Sequence, residues 1–187
     1  SKITLKNINI NDSRIGIIKI LNKMNAKISF SNKRNYRGEM IADIIVKSRK
    51  NLKSINCPAN LNSSAIDEFL IIFLVAARAK GVSIFRNLSE LNKKESPRLE
   101  LASKILNQIG IKFIRDGDNI KIHGNPKLKL NGEYIIKNFM KDHRVFMMSC
   151  IAALSFGGKW KIKDSESINT SFPLFLKILK KLGAKII

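Results

Sequence analysis

The sequence predicts an α/β (α+β) fold made of three repeated α-β-α-β-β units. Two observations predict it. The first is a segment that occurs three times, running Ile20-Leu21-Asn22-Lys23-Met24-Asn25-Ala26-Lys27-Ile28, then Ile105-Leu106-Asn107-Gln108-Ile109-Gly110-Ile111-Lys112-Phe113, then Ile178-Leu179-Lys180-Lys181-Leu182-Gly183-Ala184-Lys185-Ile186. Each copy reads as the last turns of an amphipathic helix, a turn residue and the start of a strand, and in two of them the turn is Gly, a favoured helix stop. The second is the pair Ala76-Ala77 followed by Gly81, matched by Ala152-Ala153 followed by Gly157. A period of about 76 residues means repeated supersecondary units inside a globular domain, not a solenoid.

The elements follow in order. Residues 3–9 read as a strand, 13–24 as a helix, and 27–31 and 42–47 as strands. The middle unit opens with a helix over 64–80, where Ser64 and Asp67 stand at capping-box spacing. A strand over 82–87 follows, with Val82 and Ile84 facing inward. A second helix starts at Ser96, with Pro97 at its first position, where the missing N–H costs nothing, and runs to Gln108. Strands over 111–115 and 119–123 are joined by the hairpin signal Asp116-Gly117-Asp118. The third unit gives helices over 142–156 and 171–182, a strand over 159–163 and a last strand from Ala184. The unit limits are then 1–60, 61–125 and 126–187. The first unit lacks a leading helix, so the chain reads as starting in mid-unit, a fragment from the C-terminal part of something longer.

Composition narrows the function. The 187 residues are 44% hydrophobic, enough for one sizeable core or two small ones. The longest apolar run, 69–77, falls far short of the roughly 20 residues a membrane span needs. The opening Ser1-Lys2-Ile3-Thr4 alternates like a strand and is read as no signal peptide. Cys57 and Cys150 sit in unrelated contexts and make no metal spacing, so a reduced, cytoplasmic-type protein is expected. The net charge is +21, from 35 Lys+Arg against 14 Asp+Glu. Alone, that charge points to nucleic acid or an anionic membrane. The basic residues are spread along the whole chain, however, and abundant Lys, Ile and Asn together are what AT-rich coding produces. Aromatic residues are 7% of the chain, and most Phe sit in apolar helical runs instead of among basic residues. Neither a specific nucleic acid nor a membrane is expected as the partner, although a basic nucleic-acid-binding module stays open as an alternative.

Three stretches carry chemistry: Lys94-Glu95-Ser96-Pro97-Arg98-Leu99, Asp142-His143-Arg144 and Thr170-Ser171-Phe172-Pro173. Each places polar or ionisable groups at a helix-start signal before an apolar run. A helix N-terminus offers unpaired N–H groups and the positive end of the dipole, and Arg or Lys beside it makes a receptor for phosphate or carboxylate. Each residue also has a plainer reading. Asp67 serves as a capping-box acid, Asp142 as an N-cap and Thr170 or Ser171 as another. Glu95 reads as a solvated charge, and His143 as a cap or a partly buried polar group. Arg98 and Arg144 read as surface arginines, but two arginines at helix starts oppose the dipole.

In this order, Lys-Glu-Ser-x-Arg-Leu, Asp-His-Arg and Thr-Ser-Phe-Pro resemble the 3-phosphoshikimate 1-carboxyvinyltransferase (EPSP synthase) family. The resemblance extends from Asn11-x-x-Arg14-x-Gly16 to Leu182-Gly183-Ala184-Lys185. It implies the enolpyruvyl transferase fold, an inside-out α/β barrel of two similar domains with three units each. This chain then corresponds to most of the C-terminal domain, with the N-terminal domain absent. It implies transfer of the enolpyruvyl group of phosphoenolpyruvate to the 5-hydroxyl of shikimate 3-phosphate, by addition and then elimination of phosphate, with no cofactor. By resemblance, Asp67 contacts the shikimate ring and accepts the hydroxyl proton, and Lys94 lies near both substrates. Glu95 moves a proton at the methylene carbon, Arg98 and Arg144 clamp phosphoenolpyruvate, and His143 lies beside them. Thr170 stands where many members carry a phosphoenolpyruvate-binding Lys; one branch carries Thr, and this chain resembles that branch. Pro97 replaces the usual Asp, which puts a contact to Arg98 in doubt. A UDP-N-acetylglucosamine enolpyruvyl transferase shares the fold and is the nearest alternative; the Asp-His-Arg and Lys-Glu-Ser stretches argue against it.

Overall fold

The computed structural model describes residues 1–186. The chain opens with β1 (Lys2–Asn9), α1 (Gly16–Lys23), β2 (Lys27–Tyr36) and β3 (Glu39–Lys47). β3 is the centre of an antiparallel sheet ordered β1-β3-β2. The β2–β3 hairpin is longer than predicted, because pairing continues to Tyr36 and Glu39. Arg37 and Gly38 close it with φ of 52° and 85°, the double left-handed geometry that suits the twist of a two-residue hairpin turn. Both outer strands shift register near Asp43, β1 opposite Asp43 itself and β2 opposite Ala42. At those bulges Asn7 and Asn32 take left-handed φ of 55° and 51°, which Asn tolerates better than most residues.

Next come α2 (Phe69–Arg78), β4 (Gly81–Phe85), α3 (Arg98–Gln108), β5 (Phe113–Asp116) and β6 (Asn119–Gly124). The three strands form an antiparallel sheet ordered β4-β6-β5. Parallel bridges of Lys53 to Lys80 and of Asn56 to Ile84 bring the 53–56 segment against β4. Last come β7 (Glu133–Ile136), α4 (His143–Phe156), β8 (Lys159–Ile162) and α5 (Phe175–Lys181), with β7 and β8 paired in parallel.

Helices α2 and α4 fill the interior. Phe69, Leu70, Ile72, Phe73, Leu74, Ala76 and Ala77 of α2 are all buried, as are Val145, Phe146, Met148, Cys150 and Ala152 of α4. α2 touches α1, α3, α4 and β6. Phe69, Phe73 and Phe85 pack edge-on or tilted, with centroids 5.4 to 6.0 Å apart, an arrangement rings favour over face-to-face stacking. Gly124, at the end of β6, passes so close to the last turn of α2 that an added Cβ would sit 2.6 Å from the Ala76 carbonyl oxygen.

Several elements differ from the sequence reading. α2 begins at Phe69, not Ser64; residues 59–61 and 63–65 form short 3-10 turns instead. There is no capping box, since the Ser64 hydroxyl donates back to the Leu61 carbonyl at 3.1 Å. β4 faces the other way from the expectation: Ser83 and Phe85 are buried and Val82 is 41% exposed. The Phe85 ring, packed on α2, sets that face. α3 begins at Arg98, with Pro97 just outside it. Its first free N–H groups, of Leu99 and Glu100, donate to Asn92 Oδ1 at 3.1 and 3.3 Å. α5 starts at Phe175 with no side-chain cap, so Thr170 and Ser171 do not cap it. No strand forms over 184–186, and the rest of that expected strand, Ile187, lies outside the described residues.

Candidate active site

Four helix starts meet at one place. Gly16 opens α1 hard against the 63–65 turn; an added Cβ there would be 2.7 Å from the Ala65 nitrogen. That approach brings Arg14, just ahead of α1, to Asp67, with Arg14 Nη2 3.4 Å from Asp67 Oδ2. Asp67 stands two residues before α2. Arg98, the first residue of α3, places Nη1 3.5 Å from Asp67 Oδ1. Lys94 Nζ is 3.8 Å from the same oxygen. Arg144, in the first turn of α4, donates from Nη1 to the Asp67 carbonyl at 2.8 Å and places Nη2 3.4 Å from Asp67 Oδ2. One carboxylate thus collects four cations from three other stretches of the chain.

Beneath this cluster is a buried ion pair. Arg98 is 1% exposed, the largest fully buried side chain, and Asp142 is 3% exposed. Arg98 Nε donates to Asp142 Oδ2 at 3.0 Å, and Ser96 Oγ donates to the same oxygen at 2.7 Å. Asp142 Oδ1 accepts from the backbone N–H groups of Arg144 at 2.8 Å and Val145 at 3.2 Å, capping α4. Burial opposes ionisation of Asp142, yet the hydrogen bonds from Ser96 and Arg98 outweigh it and hold its carboxyl below its ordinary value. The remaining Arg98 nitrogen, Nη2, pairs with Glu95, whose side chain is 66% exposed. Cations in the first turns of α3 and α4 oppose the helix dipole, and these carboxylates offset that cost. Chemically, the result is a fixed carboxylate among donors, with Arg144 and Lys94 partly open, their side chains 27% and 33% exposed.

The structure therefore gathers Asp67, Lys94, Glu95, Arg98 and Arg144, all singled out in the sequence. His143, half-buried, is the first residue of α4, beside Arg144. Thr170 is exposed and, among the described residues, has no hydrogen bond to the cluster. Sequence reasoning missed two members. Arg14 was visible only within Asn11-x-x-Arg14-x-Gly16. Glu68, whose Oε1 is 3.9 Å from Arg144 Nη1, had no signal beyond its place next to Asp67. Among the described residues no cluster of His, Cys, Asp and Glu is arranged to hold a metal ion.

A helical interior bordered by three sheets is an architecture this chain shares with solved enolpyruvyl transferases. The enzyme of that class called NikO, from Streptomyces tendae, superimposes with a TM-score of 0.73 at 16% identity, over 99% of this chain and 39% of its own; that likeness speaks for the fold. A closer likeness is to the EPSP synthase of Acinetobacter baumannii, with a TM-score of 0.89 and 34% identity over 96% of this chain and 41% of that one. The profile of the family "EPSP synthase (3-phosphoshikimate 1-carboxyvinyltransferase)" matches residues 1–179, and the chain belongs to that family. The 3-phosphoshikimate 1-carboxyvinyltransferase of Ruthia magnifica is 40% identical over 184 residues, 98% of this chain. The chain spans 41% of that relative's length.

Proposed function

We propose that this chain supplies one wall of the active site of a 3-phosphoshikimate 1-carboxyvinyltransferase, which transfers the enolpyruvyl group of phosphoenolpyruvate to the 5-hydroxyl of shikimate 3-phosphate. The observation that carries the reading is the convergence of Arg14, Lys94, Arg98 and Arg144 on Asp67. Asp67 is the proton acceptor for the substrate hydroxyl; the cations around it hold its carboxylate in place. Arg144 and Lys94 bind oxyanions of the substrates directly. Arg98 reaches them from below: Nη2 is shared with the exposed Glu95, whose carboxylate a ligand carboxylate can displace. Glu95, once free, is the group that handles a proton at the methylene carbon. His143 flanks the clamp, and Thr170 meets phosphoenolpyruvate when the site is complete.

The opposite wall belongs to the part of the relatives this chain does not span. Each sheet with its helices is one of three equivalent units in one domain of the enolpyruvyl transferase fold, and a missing N-terminal domain closes the cleft. Holding two reactants in register supplies on the order of 7–11 kcal/mol of such a barrier, and one wall does not provide it. Both cysteines are free and buried, in keeping with the cytoplasm as its compartment. The test is a chimera in which this chain replaces the matching segment of the Ruthia magnifica enzyme. Phosphate release from phosphoenolpyruvate and shikimate 3-phosphate is expected, and Arg144→Ala should lower kcat/KM at least about 100-fold. A chimera indifferent to Arg144→Ala would overturn the reading.

A further inference from the structure

Beside the cluster lies a cavity of about 320 Å³, walled by apolar side chains of α2 and α4 and by Phe175, with Asp67, Glu68 and Arg144 on its polar side. The Glu68 side chain is 30% exposed. Its carboxylate accepts no hydrogen bond among the described residues, and its cationic neighbour is Arg144 at 3.9 Å. Burial pushes the Glu68 carboxyl up; Arg144 and Arg14 oppose this and Asp67 adds to it. A half-buried carboxylate without a hydrogen-bond donor is costly to keep, so its charge at that place calls for a role.

The charge balance of the cluster supplies one. Four cations, Arg14, Lys94, Arg98 and Arg144, face four carboxylates, Asp67, Glu68, Glu95 and Asp142. Three of those carboxylates are tied to Arg98. Glu68 is the carboxylate of the four whose one ion-pair partner among the described residues is Arg144, an arginine it shares with Asp67. We propose that Glu68 is a specificity-determining residue that biases the Arg144 clamp toward singly charged carboxylates and against doubly charged oxyanions. The proposal rests on reading Arg144 as an anion clamp. A ligand oxygen on Arg144 lies within a few ångströms of the Glu68 charge, and the repulsion doubles when the ligand carries two charges. The clamp therefore grips the carboxylate end of a substrate and releases a free dianion such as phosphate.

The experiment titrates acetate and sulfate, which keep fixed charges of one and two, into this chain at pH 8 and low ionic strength. The Arg144 ¹³Cζ resonance reports binding. Glu68→Gln should tighten acetate about threefold and sulfate about tenfold. Glu68→Leu, which suits the apolar wall, should shift the ratio in the same direction and serves if the Gln variant folds poorly. An unchanged acetate-to-sulfate ratio in a folded variant overturns the role of Glu68. Arg144→Ala separates the two claims: loss of both anions supports the clamp, whereas full affinity for both would refute the clamp itself.

Discussion

The starts of α4 and α5 look alike in sequence and are unlike in the fold. Asp142-His143-Arg144 and Thr170-Ser171-Phe172-Pro173 both place polar residues ahead of an apolar run. At α4 the Asp142 carboxylate caps the helix, accepts from Ser96 and pairs with buried Arg98. At α5 no side chain caps the helix, Phe172 is 41% exposed and Leu174 55%. The difference lies in what each start packs against. α4 packs against both α2 and α3, and its start meets the chain ahead of each of them. A helix start becomes a receptor when other segments deliver charges to it; the local sequence only permits it.

The largest effect should come from breaking the buried pair. Asp142→Ala leaves Arg98 charged and unpaired and removes the α4 cap, which should cost about 3–5 kcal/mol of stability. Denaturant unfolding measures it; a loss below about 1 kcal/mol would mean that Asp142 does not tie α3 to α4. Next is Gly16→Ala, which forces α1 away from the 63–65 turn. Overpacking of this kind should cost about 1–3 kcal/mol, and the displaced Arg14 should weaken sulfate binding. Unchanged sulfate affinity in Gly16→Ala would detach Arg14 from the site.

Acid sharpens the comparison, because a second carboxylate outside the site offers a control. Asp43 accepts from Lys6 Nζ at 2.7 Å, from the Asn7 N–H at 3.0 Å and from Asn32 Nδ2 at 2.7 Å, which together lower its carboxyl to about 2. Both Asp142 and Asp43 titrate below their unfolded value of about 4. Their stabilisation is therefore complete above that pH and is lost as pH falls toward 2. The unfolding midpoint should drop between pH 5 and pH 3, less so in Asp43→Asn, while sulfate binding at neutral pH stays unchanged in that variant. The smallest effect belongs to α5: Thr170→Ala should change stability by less than about 0.5 kcal/mol, as at other exposed positions. A larger loss by thermal melting would show that the α5 start is tied down after all.

Much of this was legible in the sequence for identifiable reasons. The Asp142 cap was, because an Asp one residue before a helix acts within its own turn. The α2 core was, because 69–77 is apolar on every face. β7 was not: Glu133-Tyr134-Ile135-Ile136 is four residues long, too short for periodicity to mark. The facing of β4 was misread because Val82 and Ile84 outweigh Ser83 by hydropathy, while the Phe85 ring decides the packing. Asp67 as a collector of cations was out of reach of spacing alone, since Arg14 lies 53 residues away and Arg144 lies 77 away. Only the ordered set of motifs pointed there.

We propose above that this chain holds one wall of a two-walled transferase site. The most direct measurement is phosphate release from phosphoenolpyruvate and shikimate 3-phosphate by this chain alone, and then with the complementary portion of a relative added. No turnover alone, and turnover on addition that disappears with Arg144→Ala, is the predicted result. Turnover by this chain alone at ordinary enzyme rates would contradict it.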